Sequence, residues 1–162
     1  MNTDMKKLVA KLLETYPDRE RQISLLHYEM QHSARISPEE VIDSMALGHG
    51  DGMGGSGKGR ISNKTMYIAL NHQERMDRMN TEAANEIAQR LLKLEGEQNR
   101  LRYYVSLLEK READVIRSFY IEGVSWEEIA QKIGVALRTV HKIKNRAVDH
   151  LAELYAYKAG LK

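Results

Sequence analysis

The chain is expected to be all-α: N-terminal helices, a Gly-rich linker, a long coiled-coil-like helix and a C-terminal three-helix helix-turn-helix head. Three observations predict it. Apolar residues recur at spacings of three and four along most of the 162 residues, with only two prolines to interrupt them. Seven glycines among the twelve positions Gly48 to Gly59 cut that pattern once. Near the carboxyl end, two short amphipathic patterns meet at Ile133-Gly134-Val135, and the second is loaded with cations. These marks divide the chain into residues 1–47, 48–61, 62–107 and 108–157.

In order, Leu8, Val9, Leu12, Leu13 and Tyr16 predict a first amphipathic helix, stopped by Pro17. A second is expected from about Asp18 to Gln31, with Ile23, Leu26 and Met30 on one side. Ser37-Pro38-Glu39-Glu40 is a start signal, an N-cap with proline at the first helical position and a capping-box glutamate. The short helix it opens carries Val41, Ile42 and Met45 and ends by Gly48. Packing as a small bundle and covering the long helix beyond the linker are both open to these helices.

The stretch GHGDGMGGSGKG is read as a flexible linker, since no packed helix or strand tolerates that glycine density. Gly52, Gly57 and Lys58 match part of a phosphate-binding loop. Gly59 stands where that loop needs Ser or Thr for magnesium, and no apolar strand precedes it, so no nucleotide is expected. His49 and Asp51 are too few to hold a metal, and Lys58 and Arg60 could add a loose DNA contact.

Ser62 caps the long helix, within which Ala84, Ile87, Leu91, Leu94, Gln98, Leu101, Val105 and Leu108 form a heptad seam. Gln98 takes an a-type position, where a buried polar residue selects one register at a cost in stability. The reading taken is a homodimer through the Ala84–Leu108 seam, with packing against the N-terminal helices as the alternative, because one seam looks the same to either partner.

The head starts with Val115, Ile116, Phe119 and Tyr120, expected to cluster with Trp126, Ile129 and Val140. Ser125 and Glu128 have capping-box spacing, so the next helix begins at Trp126. Trp126, Ile129, Ala130 and Ile133 fall on one face, and Gly134 stands where a helix end needs a left-handed residue. Trp126 is read as a packing residue in preference to a stacking platform for bases. The last helix buries Val140, Ile143, Ala147, Leu151 and Leu154 and turns outward Arg138, Thr139, His141, Lys142, Lys144, Asn145 and Arg146. No acidic residue lies between Leu137 and Val148, a local bias that the net charge of +2 conceals and that suits a helix entering a groove between phosphates.

Over Lys110 to Tyr120 (KREADVIRSFY), Glu122 to Ala130 (EGVSWEEIA) and Gly134 to Ala147 (GVALRTVHKIKNRA), the chain resembles region 4 of sigma-70 type factors and the small phage-borne regulators that share it. It departs from that pattern at Ala136, where Ser or Thr is usual, and at Leu137, where a polar residue is usual. The resemblance implies that Leu137, Arg138, Thr139 and Lys142 approach base edges, with His141, Lys144, Asn145 and Arg146 nearer the backbone. Arginine can pair bidentately with guanine and a methyl can meet thymine, which agrees with the first set; Lys144 and Arg146 suit phosphates. Thr139, β-branched and near a helix start, could equally be buried or locally bonded. The resemblance also adds contact with RNA polymerase as a third role for the N-terminal helices. Residues 41–51 and 61–65 look like the N-terminal part of phage or prophage proteins with a sigma-like end, which implies late-gene or mobile-element control in a Gram-positive host.

The remaining expectations are exclusions. There is no cysteine for disulfides or thiolate metal sites, the six histidines are dispersed, and no carboxylate pair sits in an apolar signature, so neither catalysis, cofactor nor metal is expected. Without an apolar window of about 18 residues or a secretory start, the chain is expected to be cytoplasmic and off the membrane. Promoter melting would require an aromatic-rich basic helix upstream, and residues 1–107 offer only scattered tyrosines, which speaks against a full sigma factor. The leading expectation is a sequence-specific, double-stranded-DNA-binding transcription regulator. The alternatives are a phage packaging protein of the small-terminase kind and a protein adaptor without DNA affinity.

Overall fold

The computed structural model describes residues 2–32, 39 and 63–160, and every element among them is helical. The helices are α1 (Asn2–Glu14), α2 (Tyr16–His32), α3 (Asn63–Ser106), α4 (Lys110–Ile116), α5 (Trp126–Ile133) and α6 (Leu137–Gly160), with a π-helical turn over Arg117–Ile121. The expected helix at Val41 to Met45, the glycine-rich linker and the Ser62 cap lie outside the described residues. Two compact units are formed, residues 1–25 with 91–162, and residues 26–90. In the second unit, the α3 surface carries one-turn pairs such as Arg78 with Glu74 at 3.4 Å, which stabilise exposed helix only slightly.

Several expectations need correction. The break between the first two helices comes at Thr15, so Tyr16 opens α2 instead of ending α1. Pro17 is tolerated there because first-turn N–H groups have no intrahelical partner to lose. The cationic stretch Leu137 to Val148 is the first half of one helix that continues to Gly160, a rod of about 36 Å. Its apolar stripe bridges two cores. Val140 and Ile143 pack with Val115, Ile129, Ala130, Phe119 and Trp126, while Ala147, Leu151 and Leu154 join Val9, Leu13, Leu101, Val105 and Ile116. Ile116 therefore faces this second core and not the expected Trp126 cluster, while Tyr120 borders it and also meets Phe119 and Trp126 edge-on, with ring centres 4.9 and 6.2 Å away.

The seam of α3 finds its partner within the chain from Leu91 onward. Leu91, Gln98, Leu101 and Val105 are buried, Ala84 is exposed and Ile87 is half-buried. Gln98, 1% exposed, accepts from Arg19 Nε at 2.9 Å and donates to Glu20 Oε1 at 2.8 Å and to the Tyr16 carbonyl at 3.3 Å. Arg102 donates to the Tyr16 hydroxyl at 2.6 Å and pairs with Glu20. Arg19 donates also to Thr15 Oγ1 at 2.6 Å, and burial pushes its guanidinium below the usual arginine value. The buried polar residue of the seam thus joins α3 to α2 of one chain.

Candidate nucleic-acid interface

The head is assembled from local signals. Glu128 N–H donates to Ser125 Oγ at 3.3 Å and Ser125 N–H donates to Glu128 Oε2 at 3.2 Å, closing the capping box. Gly134 ends α5 in the left-handed region, φ 68° and ψ 37°, and the chain folds back with Val135 N–H on the Ala130 carbonyl at 3.1 Å. Ala130 is buried against the recognition helix, where a longer side chain would push α5 and α6 apart. Ile133, on the same helix face as Ile129 and Ala130, is the last residue of α5 and is 38% exposed. On the other side, the π turn lets Glu122 N–H reach the Arg117 carbonyl at 2.9 Å, and Gly123 comes next at φ 72°. Nothing in the hydropathy pattern announced that turn.

Helix α6 begins without a side-chain cap. Thr139 and Val140 N–H groups donate to the Ala136 carbonyl at 2.8 and 3.2 Å, but Ala136 offers no side-chain oxygen to the other free donors. Ala136→Ser is therefore expected to raise stability by about 1 kcal/mol, measured by thermal melting without DNA.

The structure places Leu137, Arg138, Thr139, Lys142, Asn145 and Arg146 at the surface, and His141 and Lys144 half-buried. Thr139 is thus not a core residue. Arg138, Lys142 and Asn145 recur at spacings of four and three, so they form one stripe roughly opposite Val140, Ile143 and Ala147. Arg146 and Thr139 flank it on one side, His141 and Lys144 on the other. Among the described residues no carboxylate forms an ion pair with Arg138, Lys142, Lys144 or Arg146. One turn beyond Asn145 the same stripe reaches Asp149, whose carboxylate is held by Lys6 Nζ of α1 at 2.8 Å. That neutralisation was not legible from spacing.

Trp126 stacks on Phe119 with ring centres 3.6 Å apart and planes 10° from parallel, and the His141 ring lies 5.3 Å away on α6. The indole is a packing residue, and His141 is braced against it, which ties the start of α6 to α5. Among the described residues no cluster of three His, Asp or Glu side chains could hold a metal, and no helix is long and apolar enough to cross a membrane.

A capped first helix, a left-handed glycine turn and a second helix with a bare cationic face define a helix-turn-helix of the DNA-binding class. Residues 105–153 match the family profile of sigma-70, region 4, a DNA-binding helix-turn-helix region. Neither curated proteins nor solved structures yield a match to the chain.

Proposed function

We propose that the protein is a sequence-specific transcription regulator that reads promoter DNA in the major groove with the amino-terminal half of α6. The observation that carries the reading is the split character of that one helix. Its second half is packed against α1 and α4, while its first half holds Arg138, Lys142, Lys144 and Arg146 outward with no acidic residue among them. A rigid element anchored at one end can present cations at the other without ordering them anew on binding. Arg138 and Lys142, with the methyls of Leu137 and Thr139, are assigned to base edges; Lys144, Asn145 and Arg146 are assigned to phosphates. His141 serves both the backbone and the contact with Trp126.

The region-4 match supports a role at promoters, and contact with RNA polymerase and control of phage or prophage genes belong to the same proposal. The homodimer loses its support over Leu91 to Val105, where the seam is already covered by helices of the same chain.

Selection of genomic fragments by the purified protein tests the reading, with enrichment of a common short site expected and unbiased recovery counting against it. Affinity for any duplex should also fall with salt, log K against log salt having a slope of about −2 if Lys144 and Arg146 meet phosphates. A flat response would exclude the phosphate contacts.

A further inference from the structure

Glu112 is buried to 1% exposure on α4, the helix that opens the head. Its Oε2 lies 2.8 Å from Nδ1 of His150 on α6, and its Oε1 is buried without a hydrogen-bond partner. A carboxylate taken out of water costs several kcal/mol unless a cation and donors answer it. Here, among the described residues, the charge is answered by one imidazole alone. His150 stands on the helix that carries Arg138, twelve residues on and about 18 Å along the axis. The pair therefore joins the first helix of the head to the element that presents the cationic face.

We propose that Glu112 and His150 are positioning residues, a charged clamp between α4 and α6 that fixes how the cationic half of α6 is presented to DNA and that opens when the imidazole loses its proton. The role in DNA binding rests on the reading of α6 given under Proposed function; the clamp itself rests on the geometry. The His150 side chain is 43% exposed, so protons exchange with solvent while the carboxylate beneath stays dry. Its imidazole also borders an open groove with Glu109 ahead of α4 and Glu153 one turn on along α6. Asp149, the neighbouring acid, is already paired with Lys6 of α1. The hydrogen bond to Glu112 first, then the charges of Glu112, Glu153 and Glu109, hold His150 above the ordinary histidine value of 6.5 against a smaller opposing effect of burial.

A histidine whose folded value is raised contributes stability that is complete below its unfolded value and is lost as pH rises through the folded one. Above that point a neutral ring can still donate one hydrogen bond, but the buried carboxylate has no counter-charge. The contact between α4 and α6 is then weakened.

The test uses the full chain as wild type, His150→Gln and Glu112→Gln, at constant ionic strength from about pH 6 to about pH 8. Three quantities are read: affinity for a random-sequence duplex, the urea midpoint, and the ring resonances of His150. Wild-type affinity is expected to fall about fivefold across that range, with the urea midpoint falling in step. Both slopes should flatten in either variant. Glu112→Gln removes the buried charge at nearly constant shape, so it remains informative if His150→Gln folds poorly. His141 is common to all three proteins, and comparing them removes its contribution. A wild-type slope persisting in Glu112→Gln, or His150 resonances titrating at or below the ordinary value, would overturn the clamp and leave the DNA reading intact. Failure of all three proteins to bind duplex at any pH would instead remove the DNA reading, and with it the clamp's role in presentation.

Discussion

Leu151→Ala is expected to destabilise the protein by about 2–5 kcal/mol, lowering the urea and thermal midpoints while leaving the cationic face chemically untouched. Leu151 is fully buried where α6 meets Val9 and Leu13 of α1 and Ala113 and Ile116 of α4. Removing its branched end leaves a cavity that three helices cannot close together, and a loss of that size is a large share of the about 5–15 kcal/mol typical of a domain. The same truncation at Leu154, which is half-buried on the edge of the cluster, should cost less. DNA affinity should track the folded fraction: unchanged where the variant is still folded, lost where it is not. Equal effects at Leu151 and Leu154 would show that this core does not anchor the helix.

Arg138→Ala and Lys144→Ala are expected to separate. Arg138 stands at the first turn of α6 on the stripe opposite the core, where a guanidinium reaches furthest into a groove. Its loss should cost about 1–3 kcal/mol at one base pair of a selected site, roughly five- to 150-fold, with much less effect on random duplex. Lys144 lies on the flank, half-buried, and its loss should weaken selected and random duplex alike and make the salt slope shallower. Footprinting both variants on both kinds of DNA decides it. Identical losses on the two duplexes for both variants would show that base reading is assigned to the wrong residue.

How far the chain could be read depended on the range of the interaction. The capping box at Ser125 and Glu128, the glycine exit at Gly134 and the acid-free run from Leu137 to Val148 all involve neighbours within about one turn, and each is present in the fold or on its surface. Ile133 shares the face of Ile129 and Ala130, but as the last residue of α5 it stays 38% exposed, and periodicity alone does not say how deep the end of a buried stripe lies. The π turn at Arg117 to Ile121 was invisible because an extra residue in one turn leaves the apolar count almost unchanged while rotating the residues after it. Beside that turn Phe119 lies in one core and Tyr120 borders both, its ring edge-on to Phe119 and Trp126.

Helical class, the helix-turn-helix and the sign of its exposed face were thus already written in residue order, because 3.6-residue periodicity, caps and local charge are properties of neighbours. Partnership was not. A stripe such as Leu91 to Val105 specifies that something apolar must cover it, never which helix does, and only folding brought residues of α1 and α2 onto Gln98, Leu101 and Val105. The meeting of Glu112 with His150 and of Lys6 with Asp149 belongs to the same category. Such pairs are made by helices crossing in space, and their energy depends on burial and distance, which no one-dimensional spacing encodes.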